Sequence, residues 1–153
     1  MVKTLKERNM GLFDFAKGIG NKLFGNEDEA PEKIKAHIED DNPGIKDLEI
    51  TVKDGVATIK GEAESASALE KAILMAGNAM GIEEVRADDV VAPVADYDVE
   101  YYEVVKGDSL WKIADKFYGD GSKYKQILAE NLQVIKDPDL IFPGQKIRIP
   151  SID

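Results

Sequence analysis

The sequence predicts an α+β fold of two small units, an α-β-β-α-β unit over residues 31–91 and a β-α-α-β unit over residues 100–150, preceded by a short amphipathic segment. Three observations predict it. Leu48, Ile50 and Val52 alternate with Glu49, Thr51 and Lys53, the period of a half-buried strand. Leu69, Ala72, Ile73, Ala76 and Met80 recur at the spacing of one helix face. A polar, acidic connector, Asn26–Pro31, and a linker with Pro93 at its centre, Val91–Asp98, set the units apart.

The elements follow in chain order. Residues 1–9 read as an N-terminal extension, with Met10 a second candidate start. Over residues 10–25, Leu12, Phe13, Phe15, Ile19, Leu23 and Phe24 have roughly helical spacing, which Gly18 and Gly20 weaken. Such a segment is too short to hold a helix alone and is expected to pack on the first unit. Pro31 opens a helix whose face is Ile34 and Ile38, stopping near Asn42-Pro43-Gly44. Asp54-Gly55 makes a tight hairpin, because this pair readily takes positive φ. Val56–Lys60 returns as the second strand, ended by Gly61. Ser65 or Ser67 caps the long helix, Gly77 and Gly81 loosen and end it, and Ile82–Val91 is the third strand. Residues 92–99 form a linker. Tyr101–Val105 is a strand, Lys106-Gly107 a turn, and Asp108 or Ser109 caps a helix with face Leu110, Ile113, Ala114 and Phe117. Gly119 and Gly121 break it, Tyr124, Ile127 and Leu128 begin another, and Phe142–Pro150 supplies a turn and the last strand.

Composition narrows the function. The formal charge is −10, which disfavours nucleic acid and its phosphates. Residues 31–92 hold fourteen acids against seven bases, so this part attracts cations most, although diffuse acidity also serves solubility. The absence of cysteine removes disulfides, thiolate metal sites and thiol nucleophiles. No apolar run approaches the ~20 residues of a membrane span. The N-terminal stretch is interrupted by Asp14, Lys17 and Lys22 and lacks the apolar core of an export signal, so a cytoplasmic protein is expected, with a monomer as the default. His37 is the only histidine, no catalytic motif accompanies it, and no enzyme is expected.

Three ordered motifs then stand out near the end of the chain: Tyr102–Ala114, Ile127–Asn131 and Leu140–Pro150. Their content and spacing resemble a LysM module. Asp54–Gly61, the helix that follows and Gly81–Val85 resemble a BON domain. With the opening Met10-Gly-Leu-Phe-Asp-Phe-Ala-Lys17, the order BON then LysM resembles the bacterial Kbp-type potassium-binding family over residues 10–150.

That resemblance implies a single K⁺ held by backbone carbonyls of Ala16, Lys17 and Ile19 from the N-terminal segment and of Gly77, Ala79 and Ile82 from the turn after the second BON helix. It also implies a K⁺ sensor or buffer in which binding orders the N-terminal segment, BON and LysM. Physical chemistry agrees with such a site. A helix C-terminus leaves about four carbonyls unpaired and partly negative. Many neutral oxygens suit K⁺, whereas clustered carboxylates suit divalent ions. On the residues alone, the same stretch also serves as an ordinary helix cap. A second reading is a glycan or protein ligand for LysM. The family's N-acetylglucosamine groove implies Gly107, Asp108, Ser109 and Leu110 facing Pro138, Asp139, Leu140, Ile141 and Phe142, with Trp111 a surface anchor or sugar platform. A plain scaffold without an ion is the third.

Overall fold

A computed structural model describes residues 14, 15, 18, 20–95 and 98–151. It is an α+β protein with a three-stranded sheet, a two-stranded sheet and four α-helices among the described residues.

The first module begins with a single 3-10 turn, Glu27–Glu29, whose N-cap Asn26 accepts from the Glu29 amide. Helix α1 (Ala30–Asp40) follows, with Pro31 in its first turn, where a missing N–H costs nothing. It buries Ala30, Ile34 and Ile38. Strands β1 (Ile45–Lys53) and β2 (Val56–Ala63) pair antiparallel. Asp54 and Gly55 between them have φ of 51° and 79°, so the hairpin is of the expected positive-φ kind. The Glu27 carboxylate accepts from both turn amides, at 2.7 Å from Asp54 and 3.1 Å from Gly55. The acidic connector thereby seals the hairpin.

Two boundaries differ from expectation. Strand β2 runs on through Gly61 to Ala63, and β1 begins at Ile45. The register shifts between Lys46 and Glu49, where Asp47 has φ 56°. Gly61, at φ +146°, faces this bulge; a Cβ there would come within 2.8 Å of the Lys46 carbonyl oxygen. The glycine lets the strand pass the bulge instead of ending it.

Helix α2 (Ala66–Gly77) is capped by Ser65, whose hydroxyl accepts from Ala68 at 3.0 Å. It ends at Gly77, so Met80 falls outside the helix and is 40% exposed. Strand β3 (Glu84–Val91) pairs parallel to β2, giving the sheet order β1-β2-β3. One apolar core, including Ile34, Ile38, Ile59, Leu69, Ile73, Ile82 and Val85, joins the helices to this sheet. Phe15, Leu23 and Phe24 of the N-terminal segment pack against it. The described positions of that segment carry no helix: Asp14 bridges Glu84 antiparallel and Asn21 bridges Ala79 parallel.

The second module pairs β4 (Val99–Glu103) antiparallel with β5 (Lys146–Pro150). Between them lie α3 (Leu110–Tyr118) and α4 (Tyr124–Glu130). Ser109 caps α3, and Gly119 ends it at φ +71°. Leu110, Ile113, Ile127, Ile147 and Ile149 lead its core. Val134 of this module lies instead in the first core, with Tyr101 packed beside it, so the modules share apolar contact.

Next to the turn after β4, the Tyr102 hydroxyl donates to Asp108 Oδ2 at 2.6 Å, and the Val105 amide donates to the same oxygen at 2.9 Å. The bond to Asp108, with burial, pushes the Tyr102 pKa up to about 12. Burial alone would raise the Asp108 pKa, but the Tyr102 and Val105 bonds, with Lys116 and Lys112 nearby, hold it below the usual carboxylate range. The two shifts have opposite pH signatures. Asp108 stabilises the fold above the ordinary carboxylate range and loses that contribution as pH falls through its lowered folded pKa. Tyr102 stabilises it below the ordinary tyrosine range and loses that contribution as pH rises through about 12. In Tyr102→Phe, the Asp108 carboxyl should titrate at higher pH by NMR; an unchanged titration would show that the hydroxyl does not hold it.

Candidate cation site and module interface

The site is built from the end of α2 outward. Its last turn is buried: Ala76, Gly77, Asn78 and Ala79 have little or no exposure, and Ile82 has none. The Asn78 amide closes the helix onto Leu74 at 2.9 Å, Ala79 bonds back to Ala76 at 3.3 Å, and Ile82 to Ala79 at 3.2 Å. The carbonyl oxygens of Gly77 and Ile82 accept no hydrogen bond from any described residue. Buried carbonyls left in this way are costly and suit a cation.

The N-terminal segment is anchored on both sides of this turn. On one side, the Phe15 amide donates to the Glu83 carbonyl at 2.9 Å. On the other, the Asn21 amide donates to the Asn78 carbonyl at 2.7 Å, and the Met80 amide donates to the Asn21 carbonyl at 2.8 Å. Gly20 makes the second anchor possible. At φ +145°, a Cβ on it would stand 2.3 Å from the Asn78 oxygen and 2.8 Å from the Met80 nitrogen. Gly77 has a different role from loosening the helix. A Cβ there would lie 2.1 Å from the Phe15 ring, so Gly77 makes the seat for that ring.

Of the six expected carbonyl ligands, Gly77, Ala79 and Ile82 lie together in this turn. Ala16, Lys17 and Ile19 lie outside the described residues. Among the described residues no group of three acids or histidines is placed to hold a metal. The residues present fit a weakly hydrated monovalent ion.

The turn is also where the modules meet. The Asn78 side chain clamps β5 at the other end of the chain: its Nδ2 donates to the Lys146 carbonyl and its Oδ1 accepts from the Lys146 amide, both at 2.8 Å. Asn131 does the same to Arg148, accepting from its amide at 2.9 Å and donating to its carbonyl at 2.8 Å. Two side-chain amides thus satisfy the β5 edge that faces away from β4. Beside them, Arg148 Nη2 and Glu70 Oε1 form an ion pair at 3.1 Å with both side chains 1% exposed. Arg148 Nη1 also donates to the Glu130 carbonyl at 2.8 Å and pairs with its carboxylate at 3.1 Å. At the rim, Lys136 pairs with Asp41 at 3.0 Å. The Lys146 ammonium donates to the Asp14 carbonyl and stands 4.8 Å from the Phe15 ring centre. Burial pulls its pKa down, with Asp14 and Glu103 opposing.

Sequence reasoning missed Asn78, Glu70, Lys146 and Arg148. Glu70 had a signal. It falls four residues after Ala66 and seven before Gly77, a charge inside an apolar helix face. Its partner, 78 residues away, had none.

The alternative groove residues are scattered in their roles. Leu110 is buried in the second core, and Ile141 packs against it. Ser109 caps α3, Asp108 is held by Tyr102, Gly107 is exposed, and Leu140 is 70% exposed. Trp111 is 56% exposed, 6.1 Å from the Tyr124 ring, and covers Gly121, where a Cβ would meet its indole at 2.3 Å.

This fold defines a two-module protein. Residues 26–93 match the BON domain family, and residues 102–150 match the LysM domain family. Across 151 residues, 93% of this chain and 99% of its relative, it is 35% identical to the potassium binding protein Kbp of Escherichia coli, and it belongs to that family. Shorter likenesses reach about a third of the chain. An uncharacterized protein of Deinococcus radiodurans is 57% identical over 50 residues, 19% of its own length. SpoIVD-associated factor A of Bacillus subtilis is 52% identical over 48 residues, 11% of its length.

Proposed function

We propose that this protein is a non-enzymatic, cytoplasmic K⁺ sensor or buffer that holds one ion with main-chain carbonyls. Gly77, Ala79 and Ile82 supply one side, and Ala16, Lys17 and Ile19 the other. The observation that carries this reading is the pair of buried carbonyls, Gly77 and Ile82, without a described donor, in a turn flanked by both anchors of the N-terminal segment. The relative's name supports the choice of ion. In the proposed cycle, the ion draws residues 10–25 onto the BON unit (residues 31–91), and Asn78 passes the change to LysM (residues 100–150). Only a higher affinity for the closed form can drive that ordering.

Calorimetric titration of K⁺-depleted protein tests it. KCl should give a saturating heat at one ion per chain, and NaCl at equal ionic strength should not. Equal responses to both salts would overturn the reading. A second reading is a glycan or another protein on LysM, for which the exposed Trp111 beside Tyr124 is the candidate contact. Retention on insoluble peptidoglycan, lost in Trp111→Ala, would support the glycan.

A further inference from the structure

We propose that Lys146 is a tethered cation that sits against the carbonyl site and competes with the free monovalent ion, setting its affinity. This inference rests on the K⁺ reading above.

Lys146 belongs to β5 in the second module, yet its side chain ends on the N-terminal segment. Its ammonium donates to the Asp14 carbonyl and stands 4.8 Å from the Phe15 ring centre. A carbonyl oxygen and an aromatic face are two partners that a cation takes in place of water. Asp14 and Phe15 directly precede Ala16 and Lys17. The Phe15 ring in turn fills the space over Gly77, another proposed ligand.

The attachment is firm at its base. The Lys146 backbone is clamped by Asn78, the residue between Gly77 and Ala79. The fixed positive charge therefore shares its immediate neighbours with the proposed ion. Its bonds to Asn78 use the main chain, and it sits opposite Glu103 in the β4–β5 register, so a change of side chain leaves β5 in place.

A second unit charge within ~10 Å of a bound cation near a protein surface weakens binding roughly tenfold. Removing it should strengthen binding by about that factor. The experiment is K⁺ titration of the full chain as wild type, Lys146→Met, Lys146→Gln and Lys146→Arg. The Met and Gln proteins should each bind K⁺ roughly tenfold more tightly, and the Arg protein, which keeps the charge, should stay near wild type. Unchanged or weaker binding by the Met and Gln proteins, with wild-type binding intact, overturns the competition and leaves the carbonyl site standing. No K⁺ binding by wild type or any variant overturns both.

Discussion

Glu70→Ala is expected to lower the free energy of unfolding by about 3–5 kcal/mol, because it removes a buried carboxylate that pairs with the buried Arg148 guanidinium. Both side chains of this pair are 1% exposed, and they join α2 of the first module to β5 of the second. After the substitution Arg148 still pairs with the Glu130 carboxylate, but that side chain is half in solvent. For a chain of this length the loss amounts to roughly 10 °C in melting temperature. The double variant Glu70→Leu with Arg148→Met behaves differently. Removing both charges together removes the desolvation cost along with the attraction, so most of the stability should return. Urea denaturation of the three proteins measures this. A loss below about 1 kcal/mol in Glu70→Ala would mean that the pair is solvated and the modules are not docked through it.

Gly20→Ala should weaken K⁺ binding by at least ~10-fold while leaving the three-stranded sheet folded. The new Cβ meets backbone atoms of Asn78 and Met80, which cannot rotate aside, and φ +145° strains any L side chain. Relief requires the segment to lift from the turn, which separates the two sets of proposed ligands. Gly18→Ala is the matched control, since a Cβ there meets nothing within 4 Å among the described residues. Titration of both variants with KCl, alongside circular dichroism, reads the contrast. Equal affinities in the two would show that the anchor at Asn21 has no part in holding the ion.

The contrast between these glycines marks the limit of what the sequence carries. Alternation in β1, the Asp54-Gly55 turn, the Ser65 cap and the apolar stripe of α2 are local patterns, and local physics makes them legible. The end of α2 was harder. A stripe counted to Met80 overruns the helix, which stops at Gly77, where the Phe15 ring packs from outside it. Gly18 and Gly20 looked alike as flexible points. Only the approach of the Asn78 backbone distinguishes them. The choice of Gly77, Ala79 and Ile82 comes from the family resemblance, because a helix terminus with unpaired carbonyls reads by itself as an ordinary cap. The interface was not legible. Asn78 to Lys146 and Glu70 to Arg148 join residues 68 and 78 positions apart, and no periodicity encodes such a distance. These links join the two modules: Asn78 is both the end of the BON helix and a partner of β5.

Crystals grown with Rb⁺ or Tl⁺ in place of K⁺ put the account to its sharpest test, because their anomalous signal locates the ion without assumption. One strong peak is expected in coordination contact with the carbonyl oxygens of Gly77, Ala79 and Ile82, completed by those of Ala16, Lys17 and Ile19. A peak elsewhere, or none at this turn with its oxygens facing water, would contradict it.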